Sequence, residues 1–141
     1  MPELRKDPIT NRWVIIATER AKRPMDFGKV PEESKGAFCP FDYGNEYTTP
    51  PEILAFRPKE SQPNLPGWWI RVVPNKFPAL EPGLKMERYG HGMYDAMTGF
   101  GYHEIVIETP DHNATIATCE EKQIEEMIWA YKARYKALAK D

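Results

Sequence analysis

Residues 102–138 read YHEIVIETPDHNATIATCEEKQIEEMIWAYKARYKAL, and they decide the fold class because a strand gives way directly to one long helix. Tyr102 to Glu108 alternates as a strand does, and Thr109-Pro110-Asp111-His112-Asn113 closes it as a turn. Past Thr118 the period changes. Thr118 with Glu121 three residues on forms the pattern of a capping box. Ile124, Met127, Ile128, Tyr131, Tyr135 and Leu138 then recur at helical spacing as one apolar stripe. Glu125, Glu126, Lys132, Arg134 and Lys136 make the polar face. At ~1.5 Å rise per residue, about 20 residues give a helix of ~30 Å.

Upstream of this stretch the chain reads as strands and loops. Trp13-Val14-Ile15-Ile16-Ala17 is rich in β-branched residues and follows the turn Pro8-Ile9-Thr10-Asn11. Ile53-Leu54-Ala55-Phe56 is a short strand, and Trp68-Trp69-Ile70-Arg71-Val72-Val73 a clear one, ended by Pro74. The glycine- and methionine-rich span Gly83 to Gly101 reads as a surface excursion. Fourteen prolines exclude long central strands through much of the chain. Strands followed by a helix, without βαβ alternation, predict α+β with an antiparallel sheet.

A net charge of −2 gives no pull toward nucleic acid or an acidic membrane surface. No window approaches the ~20 apolar residues of a spanning helix, and the charged opening Met1 to Asp7 lacks the apolar stretch of a secretory leader. The expectation is a soluble, cytoplasmic protein. Two cysteines, Cys39 and Cys119, are too few for a disulfide framework, which leaves each as a free thiol or a metal ligand.

Three groups of residues are candidates for chemistry. Arg20, Lys22 and Arg23 follow a strand, and guanidinium forks suit phosphate oxygens. Spacing alone favours a solvated charge run. Cys39 and Asp42 lie three apart in the compact knuckle 38–46, the spacing of a zinc knuckle, and His112 can add a third ligand. The competing reading makes Cys39 a small buried hydrophobe and Asp42 a turn residue. Asn75 and Phe77 follow the clear strand, where an amide can bond sugar hydroxyls or phosphate and a ring can face a base. An ordinary strand-ending turn with Phe77 in a core competes. His103, on a strand, reads as structural, and His91, between glycines, as an exposed loop residue.

The blocks together carry a resemblance. Arg5-Lys6-Asp7-Pro8-Ile9-Thr10-Asn11-Arg12-Trp13-Val14-Ile15-Ile16-Ala17 with Glu19-Arg20-Ala21-Lys22-Arg23-Pro24 resembles the opening of the galactose-1-phosphate uridylyltransferases. Phe38-Cys39-Pro40-Phe41-Asp42-Tyr43-Gly44-Asn45-Glu46 with Thr49-Pro50-Pro51-Glu52 is similar to their zinc knuckle. Arg71-Val72-Val73-Pro74-Asn75-Lys76-Phe77-Pro78-Ala79-Leu80 and His103-Glu104-Ile105-Val106-Ile107-Glu108-Thr109-Pro110-Asp111-His112 complete the set, in order and over nearly the whole chain. The resemblance implies a histidine-triad-like antiparallel half-barrel with a long C-terminal helix, incomplete at its C-terminal end, with residues 1–141 as the N-terminal domain.

It also implies an activity: transfer of UMP between hexose 1-phosphates, through a uridylyl-histidine intermediate that splits one hard transfer into two easier ones. UDP-glucose and hexose 1-phosphate are then the ligands, with neither nucleic acid nor membrane as partner. Arg20 and Arg23 contact phosphates, Asn75 binds the nucleotide, and Phe41 and Phe77 line the uridine pocket. Cys39, Asp42 and His112 fall at zinc-ligand positions, with Asp42 where the family usually has cysteine. The family's nucleophile lies in a His-Pro-His run after the helix. These residues contain no such run, so no catalytic residue is assigned here, and the chain alone is expected to be inactive. A homodimer, or association with a missing C-terminal part, is the expected assembly. Two alternatives stay open: an adenylyl-sugar phosphorylase of the same build, and a non-catalytic nucleotide- or partner-binding remnant of the fold.

Overall fold

The structure is a computed structural model, and it describes residues 1–22 and 38–140. The chain divides into two compact units, Met1–Ser34 with Phe77–His103, and Lys35–Lys76 with Glu104–Asp141.

The first unit is an antiparallel sheet of four strands in the order β2-β1-β6-β5. Strand β1 is Glu3–Lys6, β2 Trp13–Ile16, β5 Arg88–His91 and β6 Tyr94–Thr98. The expected turn at Pro8 to Asn11 joins β1 to β2. Asp7 Oδ1 accepts from the amides of Ile9 and Thr10 at 2.8 and 3.2 Å, and Asn11 sits at φ 60°, which Asn tolerates better than most residues. After β2 the basic run opens as a 3-10 turn, Thr18–Lys22.

The span 83–101 is not the surface excursion expected. It holds the β5–β6 hairpin, in which His91 pairs with Tyr94 across the two-residue loop Gly92-Met93. Gly92 supplies the positive φ, +59°, that such loops require at their first position. Gly99 has a different reason to be glycine. A Cβ there would lie 2.7 Å from the Pro2 carbonyl carbon, the backbone that accepts from the Gly99 amide at 2.9 Å.

The second unit is a three-stranded sheet, β3-β4-β7, between a helix and the knuckle. Strand β3 is Leu54–Phe56, β4 Ile70–Pro74 and β7 Glu104–Ile107. Four consecutive residues of central β4, Ile70 to Val73, are buried, which is why it reads as a nearly unbroken apolar run. One face packs on the helix: Ile70, Leu54, Phe56 and Val106 meet Met127 and Ala130. On the other face Trp68, Val73 and Ile107 form a cluster with Phe41, Ala55 and Ile105. Pro74, which forms the last pair of β4 opposite Glu104, belongs to the strand it was expected to end.

Helix α1 spans Glu121–Leu138. The expected capping box does not form. Glu120 is the N-cap without a side-chain bond, and the Thr118 hydroxyl turns back to the Thr115 carbonyl at 3.1 Å. A local turn has outcompeted the cap for that hydroxyl. The apolar stripe is divided. Met127 is buried and Ile124 and Leu138 are half-buried, while Ile128, Tyr131 and Tyr135 are exposed. Polar ties share the anchoring: Arg134 grips Glu104 with two bonds of 2.8 and 2.7 Å, and the Gln123 amide donates to the carbonyls of Trp69 and Glu108.

Candidate functional site

The knuckle is built from its backbone upward. The Asp42 amide bonds the Cys39 carbonyl at 3.3 Å and the Asn45 amide the Asp42 carbonyl at 3.1 Å, so two successive turns fold the segment back on itself. Asn45 locks the first turn by donating from Nδ2 to the Cys39 carbonyl at 2.7 Å. Buried Glu46 ties the knuckle to the core. One carboxylate oxygen accepts from the Gly44 amide and the other from Trp68 Nε1, each at 2.9 Å. Tyr43 sets its ring edge-on to Trp68, with centroids 5.1 Å apart, and its hydroxyl bonds the Trp68 carbonyl.

This scaffold brings Cys39 and Asp42 beside His112, in the turn after β7. One ligand atom from each lies within 4.8 Å of the others. His112 Nδ1 is 2.9 Å from Asp42 Oδ1. Around a tetrahedral zinc with bonds of ~2.0–2.3 Å, donor atoms stand about 3.3–3.7 Å apart. The three therefore fit a zinc-type ion after side-chain adjustments of about 1 Å or less, and thiolate, carboxylate and imidazole are the donor types zinc takes. Burial pushes the Cys39 thiol above its ordinary pKa, and the neighbouring Asp42 carboxylate adds to the rise. An ion binding here must displace that proton.

A second cluster lies in the other unit. Arg20, in the 3-10 turn, places Nη1 3.2 Å from Nδ1 of His103. The Ala79 amide donates to the same Nδ1 at 3.0 Å. A guanidinium and a backbone amide can only donate, so Nδ1 is the acceptor and the ring proton sits on Nε2. Burial lowers the His103 pKa, and the Arg20 charge lowers it further.

Of the residues expected to bind substrate, Arg20 is thus half-buried and held by an imidazole. Arg23 lies outside the described residues. Phe41 packs against the Trp68 cluster. Asn75 and Phe77 are half-buried in the segment leaving β4. His103, expected to be structural, accepts at Nδ1 from Arg20 and from the Ala79 amide. The two are 83 residues apart, so no motif spacing could have joined them.

Two antiparallel sheets, a helix and a three-donor metal-type cluster define an α+β protein with a candidate metal centre. Residues 1–141 match the family described as galactose-1-phosphate uridyl transferase, N-terminal domain, and the chain belongs to that family. It is 41% identical over 143 residues to the ADP-glucose phosphorylase of Arabidopsis thaliana, covering 98% of this chain and 39% of that protein. To the galactose-1-phosphate uridylyltransferase of Haemophilus influenzae it is 27% identical, covering 97% of this chain and 38% of the relative. Among solved structures, an Arabidopsis thaliana ADP-glucose phosphorylase with bound ADP-glucose aligns at TM-score 0.55 and 37% identity, over 100% of this chain and 39% of that one. A uridylyltransferase structure, 24% identical with TM-score 0.60 over 96% of this chain and 35% of its own, shares the fold. The expected antiparallel α+β half-barrel class agrees with these neighbours. The chain spans about two fifths of the length of the relatives it matches.

Proposed function

We propose that the full-length protein transfers a nucleotidyl group from a nucleoside-diphosphate sugar, and that its nucleotide is adenine rather than uridine. The family match across residues 1–141 carries the first half of this reading. The higher identity to the ADP-glucose phosphorylase than to the uridylyltransferase favours the second half. Phosphorolysis of ADP-glucose by double displacement moves the nucleotidyl group from glucose 1-phosphate to a nucleophile and then to inorganic phosphate. In this reading the nucleophile is the histidine of the family's His-Pro-His run, which the present residues do not contain.

This chain's part is to bind. Arg20 and Arg23 meet phosphate oxygens, where fixed cationic donors stabilise charge on the moving group. Asn75 bonds the nucleotide, and Phe41 and Phe77 border its base. Cys39, Asp42 and His112 would hold zinc, whose contribution is structural, a cross-link between the knuckle and the turn after β7. The UMP-transferring reading remains the alternative, supported by the same blocks. Steady-state rates of the full-length protein with ADP-glucose and phosphate, against UDP-glucose and galactose 1-phosphate, separate the two. Faster turnover of ADP-glucose is expected. Preference for UDP-glucose would overturn the adenine assignment, and turnover of neither would overturn the enzyme reading.

A further inference from the structure

The Arg20–His103 contact reaches beyond a phosphate-binding arginine. An arginine on a short 3-10 turn has many rotamers, and freezing it costs entropy that weakens every contact it makes. A neutral imidazole can hold a guanidinium in place without neutralising it, whereas a carboxylate partner would cancel the charge that phosphate needs. His103 meets this requirement. Its Nδ1 accepts from Arg20 Nη1 at 3.2 Å and from the Ala79 amide at 3.0 Å. The amide is part of the backbone and fixes the ring, and the ring then fixes the arginine. Of the five N–H donors of a guanidinium this contact uses one, and the others keep their place in a rigid plane.

We propose that His103 is a positioning residue: its unprotonated Nδ1 holds the Arg20 guanidinium ready for the diphosphate of a nucleotide sugar. This rests on the reading of Arg20 as a phosphate ligand. The ring has to stay neutral, because an N–H at Nδ1 would face two donors. Its half-buried site and the adjacent Arg20, the charged group acting on it among the described residues, both oppose a second proton.

The test uses the geometry of the two side-chain amides. In His103→Asn the amide oxygen falls near the place of Nδ1. In His103→Gln it falls near Nε2, at similar size and polarity. Dissociation constants for ADP-glucose and UDP-glucose are measured by calorimetry on the full-length protein, its two variants and Arg20→Ala, with thermal melts to verify folding. Binding within two-fold of wild type is expected for His103→Asn. A loss of roughly ten-fold, one charge-assisted hydrogen bond, is expected for His103→Gln. In an Arg20→Ala background the Gln substitution should add no further loss.

Equal affinity of the Asn and Gln variants, or a Gln penalty that persists without Arg20, overturns the positioning role and leaves the phosphate reading intact. Undiminished binding by Arg20→Ala, or no binding of either nucleotide sugar by wild type, overturns the phosphate reading itself. Should the Gln variant fail to fold, the Asn variant decides alone: a ten-fold loss in a folded His103→Asn overturns the proposal.

Discussion

His103 also leaves a mark on stability. Its folded-state pKa lies below the ordinary value of 6.5. The unfolded chain therefore binds the proton more readily, and stability rises with pH through that window. The contribution is complete above about pH 6.5 and is lost as the pH falls through the depressed folded value. Melting temperatures between pH 5 and 8 should accordingly fall less steeply toward acid in His103→Asn than in wild type. Identical slopes would show that the imidazole is as easily protonated folded as unfolded. At the metal-type cluster, Cys39→Ala removes the one thiolate donor from the set of three. Zinc content of the purified protein, read by atomic emission, should drop to background in that variant, and unchanged zinc would place the ion elsewhere. Cys39 and Asp42 were legible in sequence because three residues of a tight turn bring both to one side. The hold of His103 on Arg20 was not, since the two residues lie 83 apart in the chain and meet only once it is folded.

Among the elements, the legible ones announce themselves by a single dominant signal. Strands β2, β4 and β7 carry runs of β-branched residues, and α1 carries an apolar repeat over five turns. β1, β5 and β6 do not. Glu3-Leu4-Arg5-Lys6 and Arg88-Tyr89-Gly90-His91 are polar, and their edge-forming hairpins are specified by the turns between strands rather than by the strands themselves. The two-residue Gly-Met loop at 92–93 was the available signal for the second hairpin. The helix stripe was read at the right spacing, but only part of it belongs to this sheet. Met127 and Ala130 bury on Ile70, while Ile128 and Tyr135 stand 60% and 77% exposed. Tyr131 between them bonds Glu108 and its phenol pKa is pushed up to about 12, chiefly by that carboxylate. A second apolar face of this kind drives association. The 141-residue chain should sediment as a concentration-dependent dimer or larger species, and Ile128→Glu with Tyr135→Lys should return it to a monomer with little change in melting temperature. A wild-type monomer at high concentration, with a sharp cooperative melt, would show that the exposed face needs no cover.

For the molecule as a whole, polar anchors work beside apolar packing. In the second unit, buried Arg71 reaches the Glu52 carboxylate at 2.9 Å and the Thr49 hydroxyl at 2.9 Å, and Arg57 joins the same carboxylate at 2.8 Å. Together with Glu46 on Trp68, this network ties the 38–52 segment to the sheet, so Cys39 and Asp42 start from a rigid base. In the first unit one such device is an imidazole between an amide and Arg20. Nucleotidyl transfer as proposed requires that arginine to meet the phosphates of a nucleotide sugar. A crystal structure of the full-length protein soaked with ADP-glucose tests it most directly. The predicted result is a diphosphate oxygen within hydrogen-bonding distance of the Arg20 guanidinium, with Nη1 still on His103 Nδ1. A nucleotide seated away from Arg20, for instance in the hollow lined by Lys6, Trp13 and Arg88, would contradict it.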